Sequence, residues 1–188
     1  MEQSDLLRYV VHILEKTGVR YFVTGSTATI FYGDPRFTND IDIVVDLPES
    51  KVSEFCAGFP AADFYVSEPA AREAVATKGQ FNIIHGTSGL KVDVIVPELS
   101  AFNQSRFARV KRLPTEDAVA VCFASPEDVI IKKMEFHRMG GSDKHLRDIT
   151  GVLRLSRERI DLDYISKWAK QLNLDDIWAA VQKRISGQ

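Results

Sequence analysis

Apolar residues open the chain at helical spacing. Leu6, Leu7, Val10, Val11, Ile13 and Leu14 form one stripe within residues 4–17, and Gly18 closes it. The period then shortens. Residues 21–24 read as a short strand, Gly25-Ser26 as a turn, and residues 27–32 as a short helix broken by Gly33-Asp34-Pro35. Residues 41–45 carry apolar side chains on both faces, the pattern of a central strand, and Leu47-Pro48 ends it. A helix is predicted over residues 49–58, followed by a weaker, Ala-rich pattern that is helical around 69–77. Residues 80–85 and 90–96 form two strands around Gly86-Thr87-Ser88-Gly89, a hairpin signal. Residues 107–113 and 118–123 predict a second hairpin, turning at Thr115-Glu116-Asp117.

From Ser125 the period is helical throughout. Ser125 is a helix cap, Pro126 occupies the first position, and Glu127 and Asp128 complement the helix dipole in the first turn. That helix runs to about Met139, and Gly140-Gly141-Ser142 separates it from a second over 143–155. Two more are predicted near 161–172 and 175–185, with Asp161 and Asn173 close to their starts. The order predicts an α/β (α+β) protein with a small mixed sheet over residues 1–124. A C-terminal helical region follows over residues 125–188, packed on that core because no long flexible linker divides the two.

Composition narrows the class. A chain of 188 residues, 45% hydrophobic and 27% charged, is an ordinary soluble globular protein with room for a real core. No apolar run approaches the roughly 20 residues needed to span a bilayer, and the acidic, amphipathic N-terminus does not resemble a signal peptide. A cytoplasmic location without membrane association is the expectation. Cys56 and Cys122 are far apart and belong to no CxxC pattern, so they read as thiols of a reducing compartment. The net charge of -2 is unevenly spread: residues 1–99 hold 8 basic and 14 acidic side chains, residues 100–188 hold 16 and 12. The basic excess of the second half, including Arg106, Arg109, Lys111 and Arg112, suits either a triphosphate or nucleic-acid partner or simply solvated faces.

The candidate chemistry lies in carboxylates set within apolar strands. Asp40 and Asp42, one residue apart, point to the same face of a strand. Asp93 is embedded in the run Lys91-Val92-Asp93-Val94-Ile95-Val96, where an unpaired buried carboxylate would be costly. If the two strands are neighbours, the three acids gather and repel unless a divalent cation lies among them; otherwise they are turn acids and a solvent-facing aspartate. The turn at Gly25-Ser26, opening a helix, offers backbone N–H groups and a hydroxyl to phosphate, or is an ordinary tight turn. Arg36 and Thr38 immediately precede the acids, and Arg36 could stabilise charge on a phosphate or pair with a neighbouring aspartate.

Together, Gly25-Ser26, Asp40-x-Asp42 and the later Asp93 resemble the signature of the DNA polymerase β-like nucleotidyltransferase superfamily. The stretch GSTATIFYGDPRFTNDIDIVV is similar to its bacterial minimal and abortive-infection toxin-type branches, and SPEDVIIKKMEFHRMGG and KHLRDI look like their helical tail. The resemblance implies the nucleotidyltransferase fold. It further implies that Asp40 and Asp42 hold the metal carrying a nucleoside triphosphate, and that Asp93 completes a second metal position and helps deprotonate an acceptor hydroxyl. Gly25 and Ser26 would contact the β- and γ-phosphates, and two Mg²⁺ ions, or Mn²⁺, would serve as cofactors. Asp128-x-x-x-Lys132 fits a later element of the toxin-type members, with Lys132 reaching the triphosphate; alternatively the two residues are a cap and its partner one turn on.

The implied activity is transfer of a nucleoside monophosphate to an acceptor hydroxyl, with release of pyrophosphate. The acceptor would be a tRNA, a partner protein within a toxin–antitoxin pair, or a small molecule such as an aminoglycoside or lincosamide antibiotic. A non-catalytic nucleotide-binding relative is the alternative from another class. A Rossmann-like domain ranks lower, because the Gly25 turn lacks the GxGxxG glycines.

Overall fold

The computed structural model describes residues 1–34, 38, 40–115, 120–156 and 160–187. The chain runs through α1 (Gln3–Lys16), β1 (Arg20–Thr24), α2 (Gly25–Tyr32) and β2 (Asp40–Asp46). A single 3-10 turn at Glu49–Lys51 then leads into α3 (Val52–Ala57), β3 (Phe64–Val66), α4 (Glu68–Thr77), β4 (Gln80–His85) and β5 (Lys91–Ile95). α5 (Ala101–Ala108), β6 (Lys111–Pro114) and β7 (Ala120–Phe123) complete the mixed part. α6 (Pro126–Gly140), α7 (Asp143–Ser156), α8 (Leu162–Gln171) and α9 (Asp175–Ser186) follow. Two compact units result: Met1–Thr27 with Phe37–Phe123, and Ala28–Arg36 with Ala124–Gln188. The second unit therefore takes the later part of α2, which the sequence pattern leaves with the core. No helix among the described residues is long and apolar enough to cross a membrane.

The first unit is built on a seven-stranded sheet in the order β3-β4-β5-β2-β1-β7-β6. β2 lies near its centre, antiparallel to β1 and parallel to β5. One face is apolar along its length: Val23, Ile43, Val94 and Phe81 are register neighbours across four strands, and all are buried. Phe55 of α3 is fully buried and meets Phe59 and Phe81 at ring-centroid separations of 5.2 and 6.2 Å. The opposite face is divided. At one end Phe22 is covered by Phe107, 5.0 Å away at the close of α5. At the other end lies a polar row, described below.

The second unit buries one stripe from each helix. Val129, Ile130, Ile131 and Met134 of α6 join Ile149, Val152 and Leu153 of α7, Ile165 and Trp168 of α8, and Trp178 and Val181 of α9. Ser125 caps α6 by accepting from the Asp128 backbone N–H at 3.2 Å, as the Ser-Pro-Glu-Asp pattern predicts. Asp128 is itself buried, and its carboxylate accepts from the Ser125 hydroxyl at 2.9 Å and from the Tyr164 hydroxyl at 2.8 Å. Lys133 of α6 and Asp148 of α7 form a buried ion pair at 2.7 Å, with side-chain exposures of 7% and 8%.

Three elements differ from the sequence pattern. Residues 101–108 are helical, so the strand expected from 107 begins only at Lys111; the Ser100 hydroxyl caps that helix by accepting from the Asn103 N–H at 3.2 Å. Phe64–Val66 is an unanticipated strand, too short to carry a period of its own and defined by antiparallel pairing with β4. Asn173, expected near the start of the last helix, adopts a left-handed φ of 56°, and α9 begins at Asp175. In the expected Thr115-Glu116-Asp117 turn, Glu116 and Asp117 lie outside the described residues.

The Lys133–Asp148 pair generates a prediction. Lys133→Met leaves a buried carboxylate without its cation and should destabilise the helical unit by about 3 kcal/mol or more. Lys133→Met/Asp148→Leu together should recover most of that loss. Urea unfolding followed by the fluorescence of Trp168 and Trp178 measures both.

Candidate active site

The polar row begins where β1 passes into α2. Thr24, buried at the end of β1, is the register neighbour of Asp42 on β2. Asp42 is the parallel neighbour of Asp93 on β5, and Asp93 is the antiparallel neighbour of Asn82 on β4. Side chains at paired positions share a face, so Thr24, Asp42, Asp93 and Asn82 form a line across four strands spaced about 4.8 Å apart. A second line runs beside it, since Asp40 pairs in register with Lys91. The structure thus brings Asp40, Asp42 and Asp93 to one face of the sheet, as their strand positions require.

Gly25 closes this arrangement from the side of α2. Its φ of +60° lies in the left-handed region, and a Cβ there would stand 1.9 Å from a carboxylate oxygen of Asp42. Any side chain would meet that carboxylate, so the backbone of the turn lies directly against Asp42. Ser26, half-buried, is the next residue of α2. The hydroxyls of Thr27 and Thr38 lie 3.5 and 3.4 Å from the Asp40 carbonyl oxygen and donate to it, so Thr38 supports the start of β2. Arg36 lies outside the described residues.

Two residues that sequence reasoning missed complete the charge balance. The Lys91 ammonium stands 3.1 Å from Asp93 Oδ2 and 3.7 Å from Asp40 Oδ1. Its hydrogen bond to Asp93, with the further negative charge of Asp93, Asp40 and Asp42, holds its pKa above the ordinary lysine value. The Asn82 amide donates to the other Asp93 oxygen, Oδ1. Their alternation places Asn82 with Gln80 on one face of β4 and Lys91 with Asp93 on one face of β5, but only the strand pairing sets Asn82 against Asp93 and Lys91 against Asp40.

Behind the row, Arg106 of α5 is 4% exposed. Its guanidinium lies 4.8 Å above the Phe22 ring and donates to Thr24 Oγ1 at 3.4 Å and to Asn103 Oδ1 at 3.0 Å. This corrects the reading of Arg106, Arg109, Lys111 and Arg112 as one basic surface. Arg106 is a buried brace for the end of β1, and Arg112 is paired with Glu15 at 3.1 Å.

Lys132 belongs to the other unit. Its ammonium is 2.6 Å from Glu135 and 5.4 Å from the centre of the Phe136 ring. Asp128, four residues earlier, is held by Ser125 and Tyr164 as described, so the expected Asp128-x-x-x-Lys132 element is divided between a buried cap network and a half-buried ion pair.

Among the described residues, no three His, Cys, Asp or Glu side chains stand close enough to form a ready cage for a metal. The donor chemistry nevertheless suits Mg²⁺. Carboxylate oxygens are the ligands this hard cation prefers, and it needs only one or two of them, taking the rest from water and substrate phosphates. The Lys91 ammonium already attests that a positive charge is stable at this position.

No family model matches the chain, and no curated protein is similar to it in sequence. Solved structures do match. The antibiotic-resistance factor ANT(2'')-Ia aligns over 99% of this chain and 98% of its own, with a TM-score of 0.55 and 13% identity. An antigenic nucleotidyltransferase-like protein from Paracoccidioides brasiliensis aligns over 95% and 91%, with a TM-score of 0.57 and 16% identity. The lincosamide antibiotic adenylyltransferase LnuA, lincomycin-bound, covers 81% of this chain and 96% of its own, with a TM-score of 0.53 and 14% identity. The chain has the nucleotidyltransferase fold. At these identities the likeness describes the backbone fold alone.

The Gly25 contact is open to a direct test. Gly25 and Gly89 both have positive φ, but a Cβ at Gly89 meets nothing within 4 Å. Gly89→Ala should therefore cost only backbone strain, about 1 kcal/mol, whereas Gly25→Ala should cost at least about 2 kcal/mol more, the added loss coming from overlap with Asp42. Placing Gly25→Ala in an Asp42→Gly background, which removes the Asp42 Cβ at 2.9 Å as well as the carboxylate, should recover much of the difference. Denaturant unfolding of the unaltered chain, the three single variants and the double variant measures it.

Proposed function

We propose that this chain is a metal-dependent nucleotidyltransferase that moves a nucleoside monophosphate from a nucleoside triphosphate to an acceptor hydroxyl. The observation that carries the reading is the parallel register of Asp42 and Asp93 beneath the Gly25-Ser26 turn. It supports the reading because carboxylates that could ligate a metal lie beside a turn whose N–H groups could bind phosphate. Asp40 and Asp42 would hold the divalent cation that accompanies the triphosphate, and Asp93 would join a second. When bound, these ions would neutralise the phosphate charge and make the acceptor hydroxyl more acidic.

The chain's own residues supply the rest. The α2 N-terminus presents backbone N–H groups at Gly25 and Ser26 to the β- and γ-phosphates, with the Ser26 hydroxyl as a further donor. Thr38 supports Asp40 through the β2 backbone. Asp93, oriented by Asn82, receives the proton of the acceptor hydroxyl. The acceptor oxygen bonds to the α-phosphorus, the bond to the bridging oxygen of the β-phosphate breaks, and pyrophosphate leaves.

Two acceptor classes have support. The basic excess of residues 100–188 suits a macromolecular acceptor such as tRNA or a partner protein, with a toxin–antitoxin role following from it. The full-length likeness to ANT(2'')-Ia, also solved with adenylyl-2''-tobramycin, and to lincomycin-bound LnuA favours an antibiotic hydroxyl.

Incubation with each α-³²P-labelled nucleoside triphosphate, Mg²⁺ and separate pools of tRNA, cell protein and antibiotics tests the activity and chooses between acceptors. Label should enter one pool, and Asp42→Asn should reduce it by about 100-fold or more. Full transfer by Asp42→Asn would refute the assigned site.

A further inference from the structure

We propose that Lys91 is a tethered counter-cation of the carboxylate row, occupying the place that a divalent cation takes and yielding it when the cation arrives. The inference rests on the nucleotidyltransferase reading of the same face. Its basis is the register. Lys91 pairs across the strands with Asp40 and stands two residues before Asp93 on the same strand, so its side chain emerges on the face that carries both. The ammonium reaches 3.1 Å from one carboxylate and 3.7 Å from the other. It therefore bridges the two lines of acids, as a bound cation would.

Three features make this an exchangeable position rather than a fixed strut. A lysine ammonium is a point charge on a flexible four-carbon stem, without the planar fork with which arginine grips a carboxylate. The side chain is 35% exposed and the Asp40 side chain 55%, so the group can swing into water. Asp93, by contrast, is only 16% exposed and keeps its hydrogen bond from Asn82 on Oδ1, while Lys91 covers Oδ2. One oxygen of Asp93 is thus held in place and the other is covered by a movable charge. The chain avoids presenting three mutually repelling carboxylates when no metal is bound, and no preformed three-ligand cage exists among the described residues. The consequence is competition: Lys91 weakens the site for a free divalent ion, so that the metal binds well only when a triphosphate adds its own ligands.

The test is Mn²⁺ binding without nucleotide, read from the electron paramagnetic resonance signal of the free ion. Lys91→Met should bind Mn²⁺ about tenfold more tightly than the unaltered chain, because a competing positive charge has gone. Lys91→Arg, which keeps the charge, should bind no more tightly than the unaltered chain. In chelator, Lys91→Met should also melt lower, and Mn²⁺ should raise its melting temperature by more than it raises that of the unaltered chain. Lys91→Gln provides the same neutralisation should Lys91→Met fail to fold. Equal or weaker Mn²⁺ binding by the neutral variants would overturn the proposal and make Lys91 a static ion pair. The unaltered chain's transfer assay separates the two ideas. Absent transfer with tightened Mn²⁺ binding in Lys91→Met removes the enzymatic reading and leaves the counter-cation role; transfer with unchanged binding does the reverse.

Discussion

Mutual repulsion among Asp40, Asp42 and Asp93 is the constraint around which the mixed unit is arranged. Their strands are central and their alternate residues are buried, so the acids cannot leave the face without turning Ile41, Ile43, Val92 and Val94 out of the core. The acids are retained and compensated instead. Lys91 contributes charge, Asn82 an amide donor, and the site opens to water at Asp40, where β2 begins. Any further positive charge at this face would reduce the remaining repulsion.

The same economy governs the turn beside them. Gly25 is required twice, by its left-handed φ and by the proximity of Asp42. Thr24, immediately before it, is tied to the buried guanidinium of Arg106, which in turn lies on Phe22. A buried arginine far from the candidate chemistry in sequence therefore helps to fix the strand end from which the Gly25 turn departs. In the helical unit polar groups are handled differently. Asp128 is satisfied by Ser125 and Tyr164, Asp148 by Lys133, and the Glu127 carboxylate accepts from the Asp161 backbone N–H at 3.0 Å.

Much of the architecture was legible because its signals are local. The α1 stripe, the Ser125-Pro126 start of α6, the Gly-rich turn between β4 and β5 and the apolar β2 each carry their own periodicity or cap, and each formed as predicted. The errors arose where local signals are weak. Phe64–Val66 has too few residues to show a period, Ser100 is an inconspicuous cap, and Asn173 resembled a helix start while serving as a left-handed stop. Of the candidate site, Gly25, Ser26, Asp40, Asp42 and Asp93 were legible as residue types in context. Lys91, Asn82 and Arg106 were not, since each acquires its role only through a partner on another element.

By itself the sequence determined most of the element types, the side of each strand on which its acids stand, and the presence of a Gly-Ser turn ahead of them. Those follow from a two-residue strand period and from backbone rules that act within a few positions. Only the tertiary structure decided that β5 runs parallel to β2 with Asp93 beside Asp42, that Lys91 reaches both Asp40 and Asp93, and that Arg106 is buried rather than displayed. Register between strands some 50 residues apart is set by how whole apolar faces pack, a collective property that no single segment of the chain contains.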